Sequence, residues 1–294
     1  MPGLPEGAGS IKVVGPKKAQ FSPMKALRFL PSDCTQVCSF RTMTFLTSRR
    51  TLLSQSAALL GFAFLPQAHA ASHAAASWSA EVFERARPIE RAVLDHPFLK
   101  ALADGTIEKD KILWYLAQNA GYLKNYAASL SRACAKLENP EDRSLVAQWI
   151  RDTAGTETWT QDLLKKFSAG RDAAPFMRLR PTTLFYASWE AKASEEGTAG
   201  EAWAALLPCF TMYEAAGRFI AKRIREENPY REWLSAYGDP AYSKTVESAV
   251  ALADRLARGE TPEGRARMTE NYLTSCRLEW ALWDAAEKLE DWPV

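Results

Sequence analysis

What this chain lacks narrows it quickly. Three of its 294 residues are histidine, and only His96 falls in the part that reads as folded; His69 and His73 lie upstream. One histidine cannot supply a three-His zinc site, and a Ser-His-Asp triad is a poor expectation on so thin a supply. The paired Glu-x-x-His of di-iron bundles is missing as well. There is no Gly-x-Gly-x-x-Gly and no Walker loop, so no phosphate cradle is expected. Basic residues do not cluster on one helix face with interleaved aromatics, which argues against nucleic acid as a partner. No apolar run is long enough to span a bilayer. Period-two alternation is absent, and the one Asp-Gly, Asp104-Gly105, sits between helical patterns rather than strands. Tryptophan and tyrosine are missing from the first 77 residues. All ten Trp and all nine Tyr fall between Trp78 and Trp292, which marks a boundary in the chain.

The upstream part reads as an address. Residues 1–42, rich in Pro, Gly, Lys and Ser, carry no helical or strand period and read as a disordered or mis-assigned extension, with Met43 as a plausible start. Ser48-Arg49-Arg50-Thr51-Leu52-Leu53 is a twin-arginine pattern, followed by the apolar stretch Ala57 to Leu65 and by Ala68-His69-Ala70. A charged segment, a short apolar core and an A-x-A site together predict an export signal over 43–70, cut after Ala70, and a periplasmic or secreted product. The charge supports the division. Residues 1–70 hold eight Lys and Arg against two Asp and Glu, a net of +6. The remaining 29 and 33 make residues 71–294 about −4, so the whole-chain +2 describes neither part. Past the signal only Cys134, Cys209 and Cys276 remain, and an odd count argues against a disulfide framework.

Residues 71–294 read as one all-α domain of seven or eight helices. A helix from about Ser79 to Leu94 contains Pro88, expected to kink it. His96 before Pro97 reads as a cap at a helix start. Thr106 is expected to cap a long helix carrying Ile112, Leu113, Leu116, Leu123, Leu130 and Leu137. Asn139-Pro140, Asp239-Pro240 and Thr261-Pro262 each repeat an N-cap followed by proline at the first helical position. Pro181 opens another helix, and Gly197 and Gly200 break the chain. A helix is expected from about Glu201 to Glu227, kinked at Pro208 and ended by Asn228-Pro229.

Three helical faces carry unusual chemistry. Tyr115, Asn119, Tyr122 and Tyr126 stand at spacings of four, three and four, so they share a face. That face suits either a buried aromatic cluster or the wall of a pocket for a flat ligand. Cys209 follows Pro208 and shares a face with Tyr213. A buried cysteine is usually a small hydrophobe, but one beside a proline kink and facing a phenol could be a nucleophile if its thiolate is stabilised. Glu279 lies on an apolar stripe with Tyr272, Cys276 and Trp283. On spacing alone it either reaches water or an arginine at the stripe's edge, or is desolvated and titrates near neutrality.

Seven ordered matches across some 190 residues make the chain resemble the TenA family, thiaminase II and its aminopyrimidine-hydrolysing relatives. They are His96-Pro97-Phe98 with Leu102-Ala103-Asp104-Gly105-Thr106; Pro181-Thr182 with Tyr186; Ala205-Leu206-Leu207-Pro208-Cys209; Tyr213-Glu214; Trp233-Leu234 with Tyr237-Gly238; Arg267-Met268 with Asn271; and Glu279 near Trp283. The resemblance implies a haem-oxygenase-like helical bundle, usually a homotetramer, that binds an aminopyrimidine or thiamine. It implies Cys209 as the nucleophile on the pyrimidine ring, Glu279 as the proton shuttle, and Tyr122, Tyr186, Tyr213 and Tyr237 as residues that line, stack on or orient the ring. The products would be 4-amino-5-hydroxymethyl-2-methylpyrimidine with ammonia, or with the thiazole. No metal or organic cofactor is implied. One position departs: where the family usually carries Asp, this chain has Asn119. An amide can still make the bidentate pairing that Asn makes to adenine, but it brings no charge. Altered specificity, or pyrimidine binding without turnover, is therefore the competing expectation. The related quinone-synthesis oxidases rely on several pocket histidines, which this chain does not have.

Overall fold

A computed structural model describes residues 77–294; the side chain of Tyr237 is outside the described set, as are the extension and twin-arginine segment expected upstream. Eleven α-helices follow in order: α1 (Trp78–Leu94), α2 (Pro97–Asp104), α3 (Lys109–Ala135), α4 (Pro140–Ser168), α5 (Ala174–Met177), α6 (Pro181–Glu196), α7 (Ala199–Leu206), α8 (Pro208–Ala221), α9 (Arg231–Leu234), α10 (Pro240–Gly259) and α11 (Pro262–Lys288). A 3-10 turn, Ser235–Gly238, precedes α10. No strand occurs among the described residues. The count exceeds seven or eight because α5 and α9 have four residues each, too short to leave a period in the sequence, and because Pro208 divides one long helical pattern into α7 and α8.

The helix starts show why these residues fold locally as they do. Asn139 accepts from the Glu141 N–H at 2.7 Å, Asp239 from Ala241 at 2.8 Å and Thr261 from Gly264 at 3.1 Å. Each cap satisfies an N–H that the first turn leaves without a partner. His96 caps α2 through Nδ1, which accepts from the Phe98 N–H at 3.2 Å; burial lowers its pKa and so favours the neutral, accepting form. Thr198 and Glu201 form a reciprocal capping box at α7, so Gly200 lies inside a helix rather than breaking the chain.

Two expectations are corrected here. Thr106 does not cap α3, whose N-cap is Glu108. Gly105 adopts φ +75°, and the N–H groups of Gly105 and Thr106 turn back to the carbonyls of Leu102 and Ala101. Thr106 is thus consumed in closing α2. The helix expected to reach Glu227 stops at Ala221. Asn228 serves α2 instead. Its amide donates to the Leu102 and Ala103 carbonyls, 2.9 Å each, satisfying the end of that helix from 125 residues away. A Cβ on Gly105 would come within 3.2 Å of the Asn228 side chain, so both the dihedral and the close approach call for glycine.

The long helices α3 and α11 run through the core; both pack on α6, α7 and each other, and α11 also packs on α8. One apolar cluster gathers Trp78, Tyr122, Tyr126, Trp149, Tyr186, Trp203, Phe210, Tyr272 and Cys276. A second gathers Phe98, Leu102, Trp114, Tyr115, Tyr213, Trp233 and Trp283. Burying one such large side chain contributes about 1.5–3 kcal/mol. Cys209 and Tyr242 pack against both clusters; the seam between them is where the site lies.

Candidate active site

A cavity of about 200 Å³ opens along this seam. From α3 it is bordered by Asn119, Leu123 and Tyr126, and from α8 by Cys209, Phe210 and Tyr213. From α4 come Gln148, Trp149, Asp152, Thr153, Thr156 and Trp159, and Ala236, Ala241, Tyr242 and Thr245 close the remaining side. One wall is aromatic and suits a flat ring; the α4 wall is largely polar. Asn119 borders the cavity and stands 5% exposed.

Pro208 does more than bend the chain. It has no N–H to give, and the Phe210 N–H turns to the Leu207 carbonyl at 3.0 Å. The Leu206 carbonyl is left to accept the Tyr126 hydroxyl at 2.9 Å. The helix break therefore fixes a phenol beside the cysteine that follows it. Tyr242 reaches the Cys209 and Phe210 carbonyls at 3.4 and 3.3 Å. The Tyr122 and Tyr126 phenols lie near the Cys209 side chain.

Deeper in the core is a compact set of acids and phenols. Tyr122 donates to Glu190 at 2.8 Å, and Tyr186 donates to Glu279 at 2.9 Å. The Tyr122 and Tyr186 rings stack with centroids 5.0 Å apart. Glu190 and Glu279 are fully buried. Burial pushes the Glu279 carboxyl up to about 8, against the pull of the Tyr186 hydrogen bond. Burial also pushes Glu190 well above the carboxyl range; the Tyr122 bond works against this and the charge of Glu279 adds to it. Cys209 is pushed well above the usual thiol range by burial, then by Glu279 and Glu190. Its resting state is a thiol, so attack by this sulfur requires a proton acceptor.

Comparison with known proteins shows the family. Residues 83–289 match the TENA/THI-4/PQQC family. The chain belongs to that family. It is 27% identical over 222 residues to the aminopyrimidine aminohydrolase of Halalkalibacterium halodurans, covering 74% of this chain and 98% of that one. It is 27% identical over 198 residues to the aminopyrimidine aminohydrolase of Bacillus subtilis, covering 67% and 84%. Among solved structures, the TenA homologue from P. horikoshii superposes with a TM-score of 0.65 at 24% identity, over 72% of this chain and 99% of that one. A Shewanella denitrificans domain with a heme oxygenase-like fold superposes at 0.57 and 15% identity, over 71% and 92%. The fold is the haem-oxygenase-like bundle.

Against this TenA-type frame, the cavity brings together three of the expected site residues, Asn119, Cys209 and Tyr213. Tyr122, Tyr186 and Glu279 are 0–1% exposed and sit behind the cavity wall. The Tyr237 side chain lies outside the described residues. Glu279 does not reach water or an arginine at the edge of its stripe; it is sealed among Tyr186, Tyr122 and Cys276. Tyr115 shares the helical face of Tyr122 but stands about 16 Å along the axis from Tyr126. There it stacks on Trp283 and hydrogen-bonds the Tyr213 hydroxyl at 2.9 Å. The residue that sequence reasoning missed is Glu190. It sits in Trp-Glu-Ala-Lys-Ala-Ser-Glu-Glu, which looks like a solvated charged run. The available signal was its spacing of four from Tyr186, which puts both on one face.

Proposed function

We propose that this chain is a hydrolase of small aminopyrimidines that serves thiamine salvage, with Cys209 as nucleophile and Glu279 as acid and base. The observation that carries this reading is the position of Cys209: its side chain borders the cavity on one side and the tyrosine–carboxyl set on the other. Asn119 and Tyr213 share the cavity with it. The aminopyrimidine aminohydrolases among the relatives support the substrate class. The cavity, about 200 Å³, is below the roughly 300–1,000 Å³ of drug-sized sites. That favours a single substituted ring over the two rings of thiamine.

In the proposed reaction Sγ of Cys209 adds to a ring carbon of the pyrimidine, and the thiol proton passes by way of ionised Glu279 to the adjoining ring nitrogen. Glu279 then takes that proton back, and the electron pair left on the ring nitrogen expels the amine from the exocyclic methylene carbon as Glu279 protonates it, so that ammonia leaves. Water adds its oxygen to the methylene and gives a proton through Glu279 to the ring nitrogen; that proton returns to sulfur as the C–S bond breaks and the thiol leaves. The residues needed are a nucleophile, one carboxyl titrating near the working pH, and a group gripping the ring. The test is ammonia release from 4-amino-5-aminomethyl-2-methylpyrimidine. No release by the wild type, or undiminished release by Cys209→Ala, would sink the reading.

Asn119 favours a second reading, a pyrimidine-binding protein of altered specificity or without turnover. The neutral amide can hold the ring but cannot follow charge as it develops, a loss on the order of 10²–10³ in rate. Saturable binding without ammonia release would support it. We also propose that the twin-arginine segment exports the protein folded, with the family's tetramer as the working assembly.

A further inference from the structure

We propose that Asp152 gives the cavity a preference for cations: it draws in aminopyrimidines whose substituent is a protonated amine, and gives no such hold to the neutral alcohol that the reaction leaves. The inference rests on the hydrolase reading for the identity of the ligand, and deepens it to the charge form that is taken up. Among the described residues that border the cavity there is no lysine, arginine or histidine, and Asp152 is the one carboxylate. Asp152 is exposed, so it stands at the mouth, whereas Asn119 is 5% exposed and lies deeper. Oδ1 of Asp152 accepts from the Gln148 amide at 2.7 Å. Arg151, its neighbour in sequence, turns to Oε1 of Gln148 at 2.5 Å, and no lysine or arginine among the described residues forms an ion pair with Asp152.

The rest of the α4 wall offers mainly acceptors. Asp152 follows Gln148 by four residues and precedes Thr156 by four, with Trp149 and Thr153 beside that row, so one helical face carries them all. Thr153 spends its hydroxyl proton on the Trp149 carbonyl at 2.8 Å, and Thr156 spends its own on the Asp152 carbonyl at 2.9 Å. What those two oxygens have left is lone pairs. Aromatic rings make up much of the remaining lining: Trp149, Trp159, Phe210, Tyr213 and Tyr242. The face of such a ring attracts a cation. Carboxylate, lone pairs and ring faces all favour the same sign of charge, and no full positive charge among the described lining residues opposes them.

The cavity holds about 200 Å³, small enough for its whole depth to lie within a Debye length of the mouth, about 8–10 Å at moderate salt. A carboxylate at the mouth acts on a cation anywhere inside, and acts first on one approaching from solution. An ammonium brings this wall a full charge and three N–H donors; a hydroxymethyl group brings one donor and no charge. Asp152 therefore acts on capture. The ammonium returns one proton to water at the mouth, and the reaction above starts from the neutral amine. Once the oxygen of water has replaced the amine, the ring product is neutral, so the hold is gone when that product has to leave.

Two ligands that differ only at the methylene test this: 4-amino-5-aminomethyl-2-methylpyrimidine, an ammonium at pH 7, and 4-amino-5-hydroxymethyl-2-methylpyrimidine, neutral there. Their binding is measured by calorimetry on the full chain carrying Cys209→Ala, so that no turnover intrudes. The amine should bind about fivefold more tightly than the alcohol. Adding Asp152→Asn should weaken the amine by about that factor and leave the alcohol within roughly twofold. Asp152→Glu keeps the charge and should keep most of the preference, and Asp152→Lys should reverse it. Raising salt from about 0.05 to about 0.5 M should shrink the preference where Asp152 is present. The Asp152 side chain bonds only Gln148, so these surface variants should fold as the parent does. An amine held no tighter than the alcohol overturns the proposal, as does a preference that survives Asp152→Asn or an equal weakening of both ligands. With Cys209 intact, the loss in Asp152→Asn should appear in KM for the amine rather than in kcat. If the wild type releases no ammonia, the hydrolase reading falls, while the ratio of the two affinities still decides the role of Asp152.

Discussion

Replacing Glu279 with glutamine should make the protein more stable, and increasingly so as the pH rises. In the unfolded chain a glutamate ionises near its ordinary value of 4.5, whereas in the fold Glu279 keeps its proton up to about 8. Between these values the folded state binds a proton that the unfolded state has released. Stability therefore falls with rising pH, by about 1.4 kcal/mol per unit. The loss begins as pH passes the unfolded value and is complete only above the folded one. Over the whole window it amounts to about 5 kcal/mol, a large share of the 5–15 kcal/mol that holds a typical domain together. Glutamine fits the same space, offers a carbonyl to the Tyr186 hydroxyl and never ionises. Urea unfolding of wild type and Glu279→Gln at pH 5, 6.5 and 8 reads the effect. The two should nearly coincide at pH 5 and separate steadily toward pH 8, the variant the more stable. Parallel curves across that range would refute the reasoning, because they would mean that Glu279 ionises as easily in the fold as out of it.

The remaining predictions are more local. Asn119→Asp should raise the rate of ammonia release by about 10²–10³, or create it, since a carboxylate follows developing charge; steady-state kinetics at pH 8 would show it, and an inert variant would place the limit elsewhere. Asn228→Ala strips the Leu102 and Ala103 carbonyls of their shared donor and should cost about 1–3 kcal/mol, measured as a shift in urea midpoint without change in slope. Changing Arg49 and Arg50 together to Lys should retain the product inside the cell; fractionation, with N-terminal sequencing of exported material for a start at Ala71, reads both the route and the cut.

How much was legible beforehand depended on how local the physics is. The caps at Asn139, Asp239 and Thr261 act within three residues of themselves, so a side chain and the proline after it suffice to read them. Thr106 has the same look and a different fate, because Gly105 in a left-handed conformation spends the Thr106 N–H on the preceding helix. Cys209, Asn119 and Tyr213 could be gathered from spacing and resemblance, and the cavity does gather them. Spacing assigns a residue to a face but not to a depth. Tyr115, Asn119, Tyr122 and Tyr126 share one face, yet the first belongs to a separate core, the second and fourth border the cavity, and the third lies behind it. Glu190 was illegible for a stronger reason. Its burial is decided by α3 and α11 closing over α6, while the charged residues that follow it, Lys192, Glu195 and Glu196, are exposed.

The two walls of the cavity differ in how freely they can vary. On the ring side, the phenols and carboxyls are tied to one another across three helices, so an exchange disturbs partners on other helices. On the α4 side, Gln148 bonds Asp152, Thr153 bonds the Trp149 carbonyl and Thr156 bonds the Asp152 carbonyl, all within one helix. Changes there are of the surface kind that typically cost within about 0.5 kcal/mol. A lineage could therefore rewrite what it accepts beyond the ring, residue by residue along α4, while the chemistry behind the ring stays as it is.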